Sequence, residues 1–426
     1  MTGSVIHNHL ENIRLISKNK LMLKEHQNRN LQLLLEHAVQ TAEYYKGYKN
    51  CGTLNKFPIV NKNIIRESYN KFESTVYRGK NLRIAVTSGS TGTPFRLVQN
   101  RNKRKRLLAD VIYSNSVIGY QIGSRHIWTI AGDSPLRESR IGLFIKNRIE
   151  FSHNLINSDT VEDYIKVLVK DKKIEIIMGY SSVLFELSKF ILEQKLPYSF
   201  SNIKGILCLS EPLYPQMRKI IQAAFNCPVL SRYSNEECGV LAYECPQCMQ
   251  FHLNAASFIF EILEMETDKP AAAGSPGRII VTDLYNYALP LIRYDTGDVG
   301  SIGGNYCNNF ATPALKTLEG RKLDCIYDTE NRKLAPFVLD EALNLSDVFI
   351  KQFQFVQEDK INYKLRLCVN DKFAHEQVII EKLKNILGEK ARISVEYVEE
   401  IPVLNSGKRK YVINCLKPDN RDMAIN

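Results

Sequence analysis

The chain has 426 residues, 44% of them hydrophobic and 24% charged, with 57 Lys and Arg against 46 Asp and Glu and a formal net charge of +11. That is an ordinary soluble globular composition, long enough for two or three domains. The stretch Met1 to Lys24 holds no unbroken apolar run of the signal-peptide kind, and no segment is long and apolar enough to span a bilayer, so a cytoplasmic location is expected. The basic balance is compatible with nucleic acid, an acidic membrane or anionic small molecules. No nucleic-acid module accompanies the densest run, Arg101 to Arg106, which is expected to be a solvated helix start or an anion funnel.

In chain order, Leu31, Leu34, Leu35, Ala38 and Ala42 share a helical face, and Phe57 to Lys62 reads as extended scaffolding ahead of another helix. Leu82, Ile84 and Val86 alternate as a strand that runs into Thr87-Ser88-Gly89-Ser90-Thr91-Gly92-Thr93-Pro94. Strand and helix then alternate: strands at 174–178, 203–209 and from Pro228 to Leu230, helices after Ser182 and around Met217 to Ile221. Beyond residue 256 strands dominate, at 258–263 and 278–284 around the turn Gly274 to Gly277. From Asp324 the pattern is a small separate unit, with strands at 352–356, 363–369 and 393–398 and a helix carrying Val378 to Ile386. The expected fold is α/β with packed mixed sheets over residues 1–323 and a mobile α+β lid over 324–426.

The Ser/Thr/Gly loop suits a polyphosphate. Its glycines allow close backbone approach, and its amides and hydroxyls can face anionic oxygens. It lacks the Gly-Lys-Ser/Thr ending of a Walker loop. It resembles instead the phosphate loop of the AMP-forming (adenylate-forming) ligases, which implies nucleotide contacts from Thr87, Ser88, Gly89, Ser90, Thr91, Gly92 and Thr93, with Thr91 among the catalytic groups. Phe95 stands where many members have Lys.

Four further strings follow in that family's order. Tyr233-Ser234-Asn235-Glu236-Glu237-Cys238-Gly239 resembles Tyr-Gly-x-Thr-Glu-x-Gly, which implies Tyr233 near the adenine and Glu237 on Mg²⁺. Glu236 replaces the family's Thr, and an ionised carboxylate donates no hydrogen bond to phosphate. Ser210-Glu211-Pro212 resembles the segment at the edge of the adenine pocket. Arg293-Tyr294-Asp295-Thr296-Gly297-Asp298 resembles the string whose last Asp binds the ribose hydroxyls, implying that role for Asp298. Gly320-Arg321-Lys322-Leu323-Asp324 resembles the interdomain hinge, with Arg321 on the nucleotide and Asp324 absorbing the rotation. Near the end, Pro402 to Lys408 resembles the terminal Gly-Lys loop and implies Lys408 as the mobile cation that neutralises charge at the α-phosphorus.

The resemblance runs from about Leu31 to Val412 and is nearest to the phenylacetate–CoA ligase and CapK-like branch. It implies carboxylate activation by ATP and Mg²⁺, then acyl transfer to coenzyme A. The alternatives are an amine or sugar acceptor of the capsule or exopolysaccharide type, or a catalytically silent nucleotide-binding homologue. The identity of the acid stays open, with Trp128, His153 and Tyr180 as pocket candidates. So does the oligomeric state, a homodimer included.

Of ten cysteines, Cys208, Cys325, Cys368 and Cys415 sit in apolar strings and are expected to be reduced core residues. Cys245-Pro246-Gln247-Cys248 with His252 forms a second group. It resembles a structural zinc knuckle, with Cys238 or Cys307 as fourth ligand and chance clustering as the alternative.

Overall fold

The computed structural model describes residues 2–49, 51–80, 82–87, 95–130, 139–152, 158–194, 199–303, 307, 309–321, 326–334, 338–343, 350, 352–369, 375–402 and 411–416. Two compact units divide the chain. One comprises Met1–Thr296 and Gly300–Leu318, the other Gly297–Val299 and Glu319–Asn426.

The first unit opens with α1 (Thr2–Ile16) and α2 (Lys20–Thr41). Asn19 caps α2 by accepting from the Met22 amide, and Leu34, Leu35 and Ala38 bury its apolar stripe. Ala42, on the same stripe, is buried too but already extended, so the helix stops one residue before it. After two short 3-10 turns come α3 (Lys62–Glu67), capped by the Asn61 side chain, and α4 (Tyr69–Phe72). The antiparallel hairpin β1 (Arg83–Thr87) and β2 (Phe95–Gln99) brackets the Gly-rich loop and leads into α5 (Arg101–Ser116).

The basic run at the start of α5 corrects an expectation. Lys103 and Arg106 are fully buried, not solvated. Each finds partners inside: Lys103 Nζ lies 2.6 Å from Asp283 Oδ2, and Arg106 Nε donates to Ser257 Oγ at 2.8 Å beside Asp110. A buried cation is tolerated when paired and hydrogen-bonded. Periodicity cannot reveal this, because Asp283 lies 180 residues beyond Lys103 and Ser257 lies 151 beyond Arg106.

An alternating series follows: β3 (His126–Ile130), α6 (Arg140–Ile145), β4 (Arg148–Ser152), α7 (Ser158–Lys170), β5 (Ile176–Tyr180), α8 (Ser181–Glu193), β6 (Gly205–Leu209), α9 (Pro215–Phe225) and β7 (Val229–Asn235). These strands pair in parallel in the order β4-β3-β5-β6-β7. The near-continuous apolar runs of β5 and β6 fit strands covered on both faces. The chain then turns antiparallel through β8 (Gly239–Glu244), β9 (Phe251–Leu253), β10 (Phe258–Leu263), β11 (Gly277–Asp283), β12 (Tyr294–Ile302) and β13 (Ala314–Arg321). Together they form one sheet in the order β10-β11-β12-β13-β9-β8-β7-β6-β5-β3-β4. Gly277 starts β11 where a Cβ would lie 2.2 Å from the Leu263 carbonyl, so only Gly fits.

The second unit holds β14 (Ile326–Tyr327), β15 (Lys333–Leu334), α10 (Val338–Leu343), β16 (Gln352–Gln357), β17 (Asn362–Cys368), α11 (Glu376–Leu387), β18 (Arg392–Tyr397) and β19 (Val412–Asn414). A four-stranded sheet, β18-β17-β16-β19, packs on α10 and α11 through Phe355, Leu365, Leu367, Ile379 and Leu383. The expected class, α/β followed by a small α+β unit, is the observed one. Cys208 and Cys368 are buried as expected, Cys415 is exposed instead, and Cys325 lies outside the described residues.

Candidate functional site

In a parallel α/β sheet, chemistry gathers where strands end, because loops there are free to vary and helix N-termini point inward. β5 ends at Tyr180, β6 runs into Ser210 and Glu211, and β7 turns through Glu236 and Glu237 into β8. Tyr180, Ser210, Glu211 and Glu236 meet. Burial, then the carboxylates of Glu211 and Glu236, hold the Tyr180 hydroxyl above its usual value, and a Ser210 hydrogen bond works the other way. Ser210 has φ +64°, a left-handed conformation uncommon outside glycine and frequent at functional turns. Glu211 is buried at the start of α8. Its Oε2 accepts from the Ser182 amide at 3.0 Å, while Oε1 has no hydrogen-bond partner among the described residues. Tyr233 is buried on β7, next to the register shift between Tyr233 and Ser234.

Glu237 is the most elaborately held of the proposed residues. Its side chain is 2% exposed, and Oε1 lies 2.5 Å from Lys62 Nζ and accepts from the Tyr294 hydroxyl at 3.3 Å. Backbone contacts fix the turn that carries it. Lys103 Nζ donates to the Cys238 carbonyl at 2.8 Å, and the Cys238 amide donates to Asn235 Oδ1 at 2.8 Å.

Lys62 reaches Glu237 because Arg293 anchors the stretch before it. The Arg293 guanidinium donates to the Asn55 and Phe57 carbonyls and forms two hydrogen bonds with Glu261, while the Val60 amide donates to the Arg293 carbonyl at 3.1 Å. Val60 then bridges Tyr294. The Arg-Tyr pair of the 293–298 string thus builds the surroundings of Glu237. Sequence reading treated Phe57 to Lys62 as scaffolding and missed Lys62. The only local signal was a lysine directly behind the Asn61 cap.

The site offers one buried carboxylate, and its Oε1 is already occupied by one ammonium and one hydroxyl donor. Asp298 is half-buried on β12 and Arg321 ends β13. Thr87 ends β1, whereas Ser88, Gly89, Ser90, Thr91, Gly92, Thr93, Asp324, Lys408 and the pocket candidate His153 lie outside the described residues. Trp128 is half-buried on β3 under the Arg148 guanidinium.

The cysteine group comes together with Cys307 as its fourth member. Donor atoms of Cys245, Cys248, His252 and Cys307 all lie within 4.8 Å of one another. Cys245 and Cys307 sulfurs are 3.6 Å apart, and Cys248 Sγ is 3.4 Å from His252 Nε2. Sulfurs about 2.3 Å from one zinc in a tetrahedron stand about 3.8 Å apart. His252 Nδ1 faces the Thr312 carbonyl at 3.2 Å, which orients the ring with Nε2 inward. The four donors therefore fit a structural zinc ion. Cys238, the other candidate, is not in the group: it sits in the Glu237 turn, among Lys103, Asp283 and Lys62.

Residues 326–415 match the family model described as the CapK C-terminal domain. Protein CapK of Staphylococcus aureus is 26% identical over 418 residues, covering 93% of this chain and 90% of that protein. The phenylacetate-coenzyme A ligase of Pseudomonas putida is 26% identical over 298 residues, which cover 65% of this chain and 66% of that ligase. Among solved structures, 2-hydroxyisobutyryl-CoA ligase in its postadenylation state matches with a TM-score of 0.72 at 17% identity, covering 93% of this chain and 90% of that one. The anthranilate CoA ligase AuaEII, in complex with anthranoyl-AMP, matches with a TM-score of 0.55 at 13% identity, covering 76% and 64%. These likenesses establish the fold.

Proposed function

For this relative of Protein CapK and of the phenylacetate-coenzyme A ligases, built on the fold of adenylate-forming ligases, we propose ATP-dependent activation of a carboxylic acid. The observation that carries the reading is the buried Glu237, held by Lys62 and Tyr294 and directly following Glu236, which faces Tyr180 together with Ser210 and Glu211.

The substrate carboxylate attacks the α-phosphorus of ATP. A bond forms from carboxylate oxygen to phosphorus, the bond to the bridging oxygen breaks, and pyrophosphate leaves. No general base is required, because the nucleophile is already an anion. What the protein must supply is charge neutralisation and alignment. Glu237 would hold Mg²⁺, which when bound offsets the phosphate charge. Tyr233 and the Ser210–Glu211 segment would flank the adenine, Asp298 would accept from the ribose hydroxyls, and Arg321 would contact the nucleotide. Thr87 to Thr93, with Thr91, would cradle the phosphates, and Lys408 would supply the mobile cation. In the second step a thiol attacks the acyl carbon and AMP leaves. Rotation about Asp324 would exchange the Lys408 loop for the thiol-binding face.

The thiol we assign is that of coenzyme A, and the compartment the cytoplasm, where ATP and coenzyme A are both supplied. An amine or sugar acceptor is the second reading, favoured because the CapK likeness spans 93% of the chain and the phenylacetate ligase likeness 65%. AMP release measured with each acceptor in turn separates them. Release that requires coenzyme A supports the thioester. Release with an amine or amino sugar and none with coenzyme A overturns it. The Cys245, Cys248, His252 and Cys307 group would hold zinc as a structural staple joining the β8–β9 turn to the segment before β13.

A further inference from the structure

Among the described residues, the four most exposed large apolar side chains are Phe144 at 85%, Ile145 at 75%, Ile122 at 73% and Ile141 at 72%. They gather at one end of the parallel sheet. Ile141, Phe144 and Ile145 occupy positions i, i+3 and i+4 of α6, and so lie along one face. Ile122 is in the turn before β3. Asn147, just past α6, donates from Nδ2 to the Gly123 carbonyl at 2.9 Å and accepts at its own carbonyl from the His126 amide. Ile122 and α6 therefore flank the same strand starts.

A basic rim continues from that point. Arg125 donates to Asn147 Oδ1 at 3.1 Å and to Asp171 Oδ2 at 3.0 Å. The Glu175 amide donates to the Arg125 carbonyl, and Lys204 Nζ lies 2.5 Å from Glu175 Oε1. Asp171 and Glu175 are thus each matched by a cation. Lys170, Lys172 and Lys173 are exposed beside them, and no carboxylate among the described residues pairs with these three. The whole rim lies at the amino-terminal strand ends, opposite Tyr180, Ser210 and Glu211 at the carboxyl-terminal ends.

We propose that this end of the sheet is a peripheral docking surface for an anionic phospholipid membrane. Phe144, Ile145, Ile141 and Ile122 enter the boundary between headgroups and acyl chains, while Lys170, Lys172 and Lys173 face the lipid phosphates. Charge and exposure favour lipid over a protein partner. The apolar tips are largely exposed, and the excess lysines complement a negative membrane, whereas lysine is depleted at protein–protein interfaces. No helix among the described residues is long and apolar enough to cross a membrane, so the contact is peripheral. The surface lies apart from the proposed adenylation residues, and its test does not depend on activity.

The test is co-sedimentation of the full chain with vesicles of phosphatidylcholine alone or mixed with phosphatidylglycerol. The wild type is expected to bind the mixed vesicles and to release as salt is added. Phe144→Ser with Ile145→Ser should weaken that binding by roughly tenfold or more, since two large apolar side chains no longer insert. Lys170→Gln, Lys172→Gln and Lys173→Gln together should also weaken it and flatten its salt dependence. Both variants change only exposed side chains, so circular dichroism and melting should match the wild type. Absence of binding to the anionic vesicles at low salt overturns the proposal, as does equal binding by the wild type and both variants. A wild-type dimer that becomes monomeric with the Phe144 and Ile145 changes would overturn it in favour of self-association.

Discussion

Lys62 Nζ lies 2.5 Å from Glu237 Oε1, so the carboxylate proposed to hold Mg²⁺ already has a cation of the protein's own at its side. Glu237 is buried and Lys62 is about a third exposed, which makes the two ends of the pair unequal. Lys62→Met leaves a buried charge with only the Tyr294 hydroxyl at its Oε1 among the described residues and should cost about 1–3 kcal/mol, below the range for fully buried pairs. Adding Glu237→Gln to it should cost less than the sum of the two single changes. Denaturant midpoints of the three variants check this. Strict additivity would mean that the pair is not coupled.

Lys103 is the deeper case. It is fully buried, with Asp283 at 2.6 Å and the Cys238 carbonyl at 2.8 Å, and it fixes the turn next to Glu237 from behind. Lys103→Met should destabilise the chain by about 3–5 kcal/mol, the range for stripping one partner from a buried pair. Asp283 also accepts from the Tyr285 and Asn286 amides, so adding Asp283→Asn should recover part of the loss by removing the unpaired charge. Chemical denaturation reads both. No recovery in the double variant would show that the loss arises from packing.

These two lysines mark what sequence could and could not supply. The alternation from β5 to β7, the strands β10 and β11, and the main strands and helix of the terminal unit are legible from local periodicity, whereas β3, α6, β4, α7, β12 and β13 are not. Boundaries shifted by one or two residues where a turn decides them, as at Ile176 and Gly205, which start β5 and β6 two residues later than the apolar runs do. Sequence alone gives Lys62 as scaffold and Lys103 as part of a solvated helix start or an anion funnel. Their partners, Glu237 and Asp283, stand 175 and 180 residues further along. Charge patterning reports a lysine's neighbours in sequence, whereas burial depends on its neighbours in space. The zinc-type group shows the same limit. The CxxC and His252 are local, but choosing Cys307 over Cys238 needed the approach of the segment before β13.

Stability should fall on acidification, and His26 is the histidine shifted furthest in that direction. Burial, then the charge of Arg106, lowers His26 from the usual 6.5 to about 4, with Nε2 facing the Ala256 carbonyl at 3.0 Å. Between those values the unfolded chain binds the proton and the folded chain does not. Stability contributed by neutral His26 is therefore complete above pH 6.5 and is lost as pH falls toward 4. His26→Gln keeps a donor to the carbonyl and should show a shallower decline over that window in melting temperature against pH. An unchanged slope would locate the acid sensitivity elsewhere.

Metal content tests the cysteine group. The purified chain should carry about one zinc per molecule, as a closed four-ligand site holds one ion. Cys245→Ser or Cys307→Ser should lower that ratio, and chelation should reduce the melting temperature of the wild type more than that of either variant. Full zinc content in Cys307→Ser, together with its loss in Cys238→Ser, would reverse the choice of fourth ligand.

Lys408 acts in the first half-reaction under the proposed scheme. Lys408→Ala should depress adenylation by about 10²–10³-fold, the scale of losing one group that stabilises transition-state charge. Thioester formation from a supplied acyl-adenylate should fall far less. Equal losses in the two steps, measured separately, would remove Lys408 from that role.

Carboxylate-dependent exchange of pyrophosphate into ATP, with Mg²⁺ and a panel of aryl, fatty, amino and sugar acids, tests the central claim most directly. The account predicts exchange that requires one class of acid and is lost in Glu237→Gln. A chain that binds no ATP, or an exchange that Glu237→Gln leaves intact, would contradict it.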